Sequence, residues 1–267
     1  MIRDITIGQY YKADSVIHRL DPRVKLMGTL IFIISLFMGM NIWIYAVVTV
    51  ALAVVIKMSR IPLKFMVRGL KSIVILIIIS AVFNLFLTPG DVLIQIWKLT
   101  ITYQGLKMAI FMVVRLIYLI VGTSLMTLTT TPNNLTDGLE KGLGFLKVIK
   151  VPVHEIAMMM SIALRFIPIL IEETDKIMKA QMARGADFEN GNLIKRAKAM
   201  VPILVPLFVS AFRRANELAM AMEARCYHGS EGRTKMKPLK YEKRDRIAYI
   251  SMVLYLGVII IVKIIVA

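Results

Sequence analysis

The chain is poor in the residues that catalytic and metal sites need. Its 267 residues include one cysteine and three histidines, so an intrachain disulfide and a CxxC metal site are excluded. The sequence "HEIAM" begins at His154, but the second histidine that a zinc-protease helix needs four residues later is missing. No glycine-rich phosphate loop and no Gly-x-Ser-x-Gly elbow is present. The sequence therefore predicts neither an enzyme nor a metal site.

Apolar residues are abundant instead. They make up 58% of the chain, and the mean hydropathy is +0.71, well above the average of soluble proteins. Long runs with almost no charge occupy residues 26–56, 72–87, 108–128 and 247–267. Because about 20 apolar residues cross the roughly 30 Å of hydrocarbon in a bilayer, these runs predict membrane-spanning helices.

The first run is too long for one span, because 31 residues of helix extend over about 46 Å. We expect it to fold back on itself, with Gly39, Met40 and Asn41 as the outer turn. This gives about five transmembrane helices, in an all-α polytopic membrane protein with long helices along the cytoplasmic interface.

The distribution of charge predicts the topology. Basic residues crowd both ends of the first run, residues 88–104 contain one, and residues 129–246 carry 20 of the 34 Lys and Arg. By the positive-inside rule, the protein lies in the cell membrane with its N-terminus cytoplasmic and its C-terminus extracytoplasmic. The rule also accounts for the net charge of +17, so we expect no nucleic-acid partner. The charged first 25 residues do not resemble a cleavable signal peptide.

Three regions follow from this topology: residues 1–128 with the first four spans, a cytoplasmic region at 129–246, and the last span at 247–267. In the middle region the sequence predicts a short helix from about Leu135 to Lys141. Two long helices then cover 152–184, broken at Pro168, and 192–225, with two internal prolines that mark kinks.

Each long helix ends in an arginine between small residues. The first ends in Ala183, Arg184 and Gly185, and the second in Ala224, Arg225 and Cys226. Each arginine could satisfy the carbonyls at its own helix end. Alternatively, small neighbours allow close approach by a partner, and the guanidinium fork binds carboxylates or carbonyls of a groove. The duplication favours docking to two similar partner sites.

Arg115 lies within the fourth span, where an ionisable residue is a candidate for function. No acidic residue in the other spans offers it a partner or an ion path. We therefore expect it to reach towards the membrane surface or to join a hydrogen-bond network between helices.

An ordered set of motifs resembles one known family over essentially the whole chain, the transmembrane coupling (T) components of energy-coupling factor transporters. The motifs are "SVIHRLDPRVKL" (15–26), "TTTP" (129–132), "RFIPIL" (165–170), the triplets 183–185 and 224–226, and "GRTK" (232–235). The second triplet ends in Cys226 where the family commonly has glycine, which puts the left-handed turn after Arg225 in doubt.

The resemblance implies a non-catalytic subunit of a vitamin or micronutrient uptake system. Two ABC-type ATPases would each receive one helix end, through Arg184 and Arg225, and a small substrate-binding membrane protein (S component) would sit alongside in the bilayer. This chain would bind no cofactor, since ATP and Mg²⁺ would be held by the ATPases. The alternatives are a self-contained channel or secondary carrier, and a lipid-modifying membrane enzyme, for which no residue constellation is present.

Overall fold

A computed structural model describes residues 10–96, 99–186, 188, 192–229, 236 and 238–266. This part of the chain is almost entirely helical, as predicted. The helices are α1 (Pro22–Phe37), α2 (Ile42–Ser59), α3 (Leu63–Leu87), α4 (Tyr103–Thr129), α5 (Pro132–Gly142), α6 (Val153–Ala183), α7 (Leu193–Ala224) and α8 (Lys243–Val266). A 3-10 helix, Gly144–Ile149, precedes α6.

The chain divides into two compact units. The first, called the membrane unit, comprises residues 8–141 and 239–267 and so contains α1 to α5 and α8. The second, called the α6–α7 unit, comprises residues 142–238. The predicted boundaries at 128/129 and 246/247 separate regions of different expected function. A division of the chain by contacts does not test them, so these boundaries remain predictions.

The predicted turn within the first apolar run is confirmed. Helix α1 ends at Phe37 and α2 begins at Ile42. The Asn41 side chain starts α2, since its Oδ1 accepts a hydrogen bond from the Trp43 backbone N–H at 3.2 Å. Such an N-cap satisfies one of the backbone donors that a helix start leaves free.

Four of the described helices, α2, α4, α6 and α8, are long and apolar enough to cross a bilayer. Helix α3 is a fifth if its halves, Leu63–Lys71 and Ile73–Leu87, count as one bent span. Helix α1, with 16 residues, extends over about 24 Å and is shorter than a full span. Because α6 passes the same test, its expected position at the interface stays a prediction.

Three local details differ from the sequence expectation. A hairpin of β1 (Val92–Ile96) and β2 (Leu99–Thr102) lies where a plain loop was expected. Helix α5 starts at Pro132, before the predicted Leu135, because proline suits the first helical position. Helices α6 and α7 run through their internal prolines, so the expected break at Pro168 is absent. A proline removes one backbone donor, and the flanking turns keep their own hydrogen bonds.

A buried carboxylate joins the starts of α1 and α8 in the membrane unit. Asp245 is 2% exposed. One oxygen accepts a hydrogen bond from the Asp21 backbone N–H at 2.9 Å, and the other accepts from the Glu242 N–H at 2.8 Å. Asp21 in turn caps α1 and pairs with Arg23 at 2.9 Å. We call Asp21, Arg23 and Asp245 the polar cluster.

A buried lysine makes a similar connection between α1 and the end of α4. Lys25 is 9% exposed, and its Nζ donates to the carbonyls of Thr129 at 2.8 Å and His18 at 3.0 Å. A cation at the carboxyl end of α4 also complements the helix dipole. Burial lowers the pKa of the adjacent His18, whose ring nitrogens are hydrogen-bonded to the Ser15 hydroxyl and to the Tyr11 carbonyl.

Candidate functional site

Helix α6 ends in a hydrogen-bonded turn around Arg184. Gly185 follows it in the left-handed region, with φ of 89°. The Gly185 N–H donates to the Met182 carbonyl at 2.9 Å, and the Ala186 N–H donates to the Gln181 carbonyl at 3.0 Å. This is the Schellman arrangement, in which backbone donors alone satisfy the last carbonyls of a helix.

Helix α7 ends in the same way around Arg225. The Cys226 N–H donates to the Glu223 carbonyl at 2.9 Å, and the Tyr227 N–H donates to the Met222 carbonyl at 3.1 Å. Cys226 itself adopts φ of 54°, which costs a residue with a Cβ atom about 1 kcal/mol or more. The left-handed turn that the sequence put in doubt is therefore present, and the two helix ends match in backbone geometry.

The side chains of both triplets are open to the surroundings. The exposed residues are Ala183, Arg184, Gly185, Ala224, Arg225 and Cys226. Neither guanidinium group forms a hydrogen bond or ion pair with any residue that the structure describes. Since the carbonyls at both helix ends already have backbone partners, the arginines are not used to cap their own helices.

Polar side chains join α6 to α7 at two places. The Glu173 carboxylate accepts hydrogen bonds from the Ser210 hydroxyl and from the Arg214 guanidinium, the latter at 2.9 Å. Further along, the Gln181 side-chain amide donates to the Pro202 carbonyl at 3.4 Å. As the residue number increases along α6, the number of its hydrogen-bond partner on α7 decreases. The two helices are therefore antiparallel. We call Glu173, Ser210 and Arg214 the interhelix clamp.

The antiparallel pairing separates the two arginines. Arg184 follows Gln181, which lies beside Pro202 of α7. Arg225 lies 23 residues beyond Pro202, a distance of about 35 Å along a helix that rises 1.5 Å per residue. The two matching helix ends thus lie at opposite ends of the α6–α7 pair, far enough apart to contact two separate partner molecules.

The other residues singled out in the sequence show no catalytic grouping. Arg115 is 8% exposed, and its Nε donates to the Tyr45 hydroxyl at 3.0 Å, which agrees with the expected hydrogen-bond network. Among the residues that the structure describes, no three His, Cys, Asp or Glu side chains are grouped as metal ligands. The "GRTK" motif at 232–235 lies outside the described residues.

Comparisons with known proteins agree with these features. A profile of the cobalt transport protein family, CbiQ, matches residues 13–236. The energy-coupling factor transporter transmembrane protein EcfT of Clostridium kluyveri is 58% identical over 93% of both chains. The protein of the same name from Thermosediminibacter oceani is 56% identical over 94% of both chains. That of Bacillus subtilis is 47% identical over 95% of this chain and 96% of its own.

These similarities extend over nearly the whole chain and include both helix ends and the apolar helices. The chain belongs to the cobalt transport protein family and, within it, to the transmembrane components of energy-coupling factor transporters.

Proposed function

We propose that this protein transmits the work of two ABC-type ATPases to a separate substrate-binding membrane subunit, and so drives uptake of a vitamin or another micronutrient. One observation carries the proposal: two helices end in the same exposed arginine turn, at opposite ends of one antiparallel pair. Two equal attachment points about 35 Å apart suit a pair of equal subunits. The chain is non-catalytic, and ATP and Mg²⁺ are bound by the ATPases.

The docking chemistry follows from the two helix ends. Arg184 and Arg225 each project five N–H donors in a planar fork, which suits carboxylates and backbone carbonyls that line a groove. The flanking alanines and Gly185 leave room for the walls of that groove. Because the arginines have no partner among the described residues, docking breaks no interaction that the structure contains.

An apolar stripe on α7 supports the proposed contact with the substrate-binding subunit. Val201, Leu204, Val205, Phe208 and Phe212 lie at helical spacing and are each 47–69% exposed. Residues that point the opposite way, Ile203 and Ser210, are buried. Contiguous exposed apolar surface of this kind marks an interaction site, and a membrane subunit offers the apolar partner that it needs.

The membrane orientation belongs to the same proposal. With the N-terminus cytoplasmic, the polar cluster and the α5 end of the membrane unit face the cytoplasm, where the ATPases hydrolyse ATP. The hairpin of β1 and β2 then faces outward. The distribution of basic residues along the chain supports this orientation.

In the proposed mechanism, the interhelix clamp holds α6 and α7 together so that they move as one element. When the ATPase pair closes on ATP, the two helix ends move, and the clamp makes α6 and α7 respond together. Glu173 has to be charged for this role, because it accepts from both Ser210 and Arg214, and charged hydrogen bonds are about twice as strong as neutral ones.

Glu173→Gln is therefore expected to lower uptake several-fold while the ATPases remain bound. The amide still fits between the helices, but it loses the charge that faces Arg214. Uptake per ATP hydrolysed, measured for the whole complex in liposomes, reports this loss of coupling. Glu217→Gln is the matched control, because Glu217 is exposed and its ion pair with Arg213 is long, at 4.0 Å. Unchanged coupling in Glu173→Gln, or loss of the ATPases from the complex, would contradict the role of the clamp.

Cys226 offers a direct test of docking, because it is the only thiol of the chain and it is exposed beside Arg225. We expect a maleimide to label the isolated protein quickly and the assembled transporter at least tenfold more slowly. Labelling is followed by mass spectrometry of the intact chain. Arg184→Ala, which alters the other helix end, should keep the protection at Cys226. Equal labelling of free and assembled protein would rule out a partner at the α7 end.

A further inference from the structure

At the α1–α2 turn, the membrane unit extends over less than the thickness of the hydrocarbon layer of a bilayer. Helices α1 and α8 run side by side in the same direction, since Asp21 contacts Asp245 and Ser35 bonds to Tyr255 at 2.8 Å. The polar cluster marks one boundary of the apolar layer. From there α1 rises about 24 Å to Phe37, in a hydrocarbon layer of about 30 Å. The turn is therefore recessed below the opposite boundary.

Arg115 lies at the level of this recess. Its guanidinium carbon is 5.0 Å from the centre of the Phe37 ring, and its Nε donates to Tyr45 in the first turn of α2. The N–H groups on its two terminal nitrogens have no partner among the residues that the structure describes. A buried guanidinium thus presents an unfilled fork of donors next to the α1–α2 turn.

A second cation lies at the same end of the membrane unit. Lys263 is 18 residues beyond Asp245 along α8, which places it about 27 Å from the polar cluster along the helix. Its side chain is exposed. Its neighbour Val262 packs against the apolar cluster that contains Tyr45. Trp43, which is 63% exposed at the start of α2, is typical of residues at a membrane interface.

In the part of the membrane unit that the structure describes, no acidic side chain lies at this level. Asp91 is the only acidic residue between positions 22 and 136, and α8 contains no acidic residue after Asp245. Asp91 lies in the hairpin region, where it is bonded to Gln104 at 2.7 Å, and Asp245 lies in the polar cluster. A charged group inside the membrane is normally paired, so Arg115 is open to a counter-charge from outside the membrane unit.

We propose that Arg115 and Lys263 bind the phosphate of a phospholipid headgroup, in the leaflet that faces the α1–α2 turn. The planar fork of Arg115 suits two phosphate oxygens at once, and the flexible stem of Lys263 reaches the same group from α8. The recess lets the headgroup sit a few ångströms below its usual level. Phosphates are the anions that a bilayer places at this depth, which is why a lipid fits better than a partner's carboxylate.

The test is native mass spectrometry of the full-length protein, purified in detergent and supplied with phosphatidylglycerol. We expect the wild type to retain one phosphatidylglycerol molecule per chain. Arg115→Gln should lower the retained fraction at least tenfold, and Lys263→Gln should lower it about threefold. Because Lys263 is exposed, its variant leaves the fold intact even if Arg115→Gln does not. Lys107→Gln, which removes an exposed cation from the same helix as Arg115, should leave retention unchanged.

Two further arms identify the ligand. A galactosyl diacylglycerol with the same acyl chains lacks the phosphate and should be retained poorly, and millimolar inorganic phosphate should not displace the bound lipid. Equal retention of the galactolipid, or displacement by inorganic phosphate, would overturn the proposal. Full retention of phosphatidylglycerol in both the Arg115 and Lys263 variants would also overturn it. If these variants lost a membrane partner while lipid retention stayed unchanged, the site would be assigned to a protein carboxylate instead.

Discussion

The double variant Arg184→Ala/Arg225→Ala is expected to reach the membrane normally but to lose both ATPases and all uptake. Both arginines are exposed and have no partner among the described residues, so alanine removes nothing from the fold. An arginine that anchors an interface typically contributes 2 kcal/mol or more, about 30-fold in Kd. Two anchors in one complex give a combined loss of about 1000-fold, enough to abolish co-purification at micromolar concentrations.

The single variants are expected to be intermediate, because each leaves one helix end attached. Arg213→Ala is the matched control, since Arg213 is also exposed on α7 but lies far from the helix end. Co-purification of tagged subunits from membranes and uptake in cells are the two measurements. A double variant that retains both partners and uptake would refute the docking role of the arginines. Transport by the chain alone in liposomes without nucleotide would support a self-contained carrier instead.

Asp245→Ala is expected to destabilise the membrane unit by about 2–5 kcal/mol, because it leaves two buried backbone N–H groups without an acceptor. These donors belong to Asp21 and Glu242, so the starts of α1 and α8 lose their connection. The measurement is the midpoint of thermal unfolding in detergent, followed by the loss of the monomer peak in size-exclusion chromatography.

Two other variants locate the effect in the buried carboxylate. Asp245→Asn keeps one acceptor oxygen and should fall between the wild type and alanine. Asp14→Ala removes an aspartate whose ion pair with Arg19 is exposed, and exposed ion pairs contribute little to stability because water screens them. If Asp245→Ala unfolded at the same temperature as Asp14→Ala, the connection between α1 and α8 would not hold the unit together.

The two helix ends show which structural features the local sequence can predict. The boundaries of α6 and α7 at Ala183 and Ala224 agree with the predicted ends, since a small residue and a left-handed position after the arginine are local signals. The sequence left Cys226 in doubt because propensity alone disfavours a left-handed cysteine. The bonds from Cys226 and Tyr227 back into α7 show that the turn forms nonetheless.

The polar connections could not be predicted in the same way. Asp245 bonds to a residue 224 positions away, and Lys25 bonds to one 104 positions away. The sequence contains a signal for Asp21 alone, as an aspartate before a proline at a helix start. Nothing local to Asp245 or Lys25 indicates which distant backbone group each of them meets.

The amino-acid sequence by itself determined the helical membrane class, the turn between α1 and α2, and the two arginine-ended helices. These features depend on hydrophobicity over about 20 residues and on capping within one helical turn, both of which are local. Only the tertiary structure decided that α6 and α7 are antiparallel, that Asp245 joins α1 to α8, and that Arg115 lies beside a recessed turn. Each of these depends on which distant segments pack together, and that choice is made by the free energy of the whole fold.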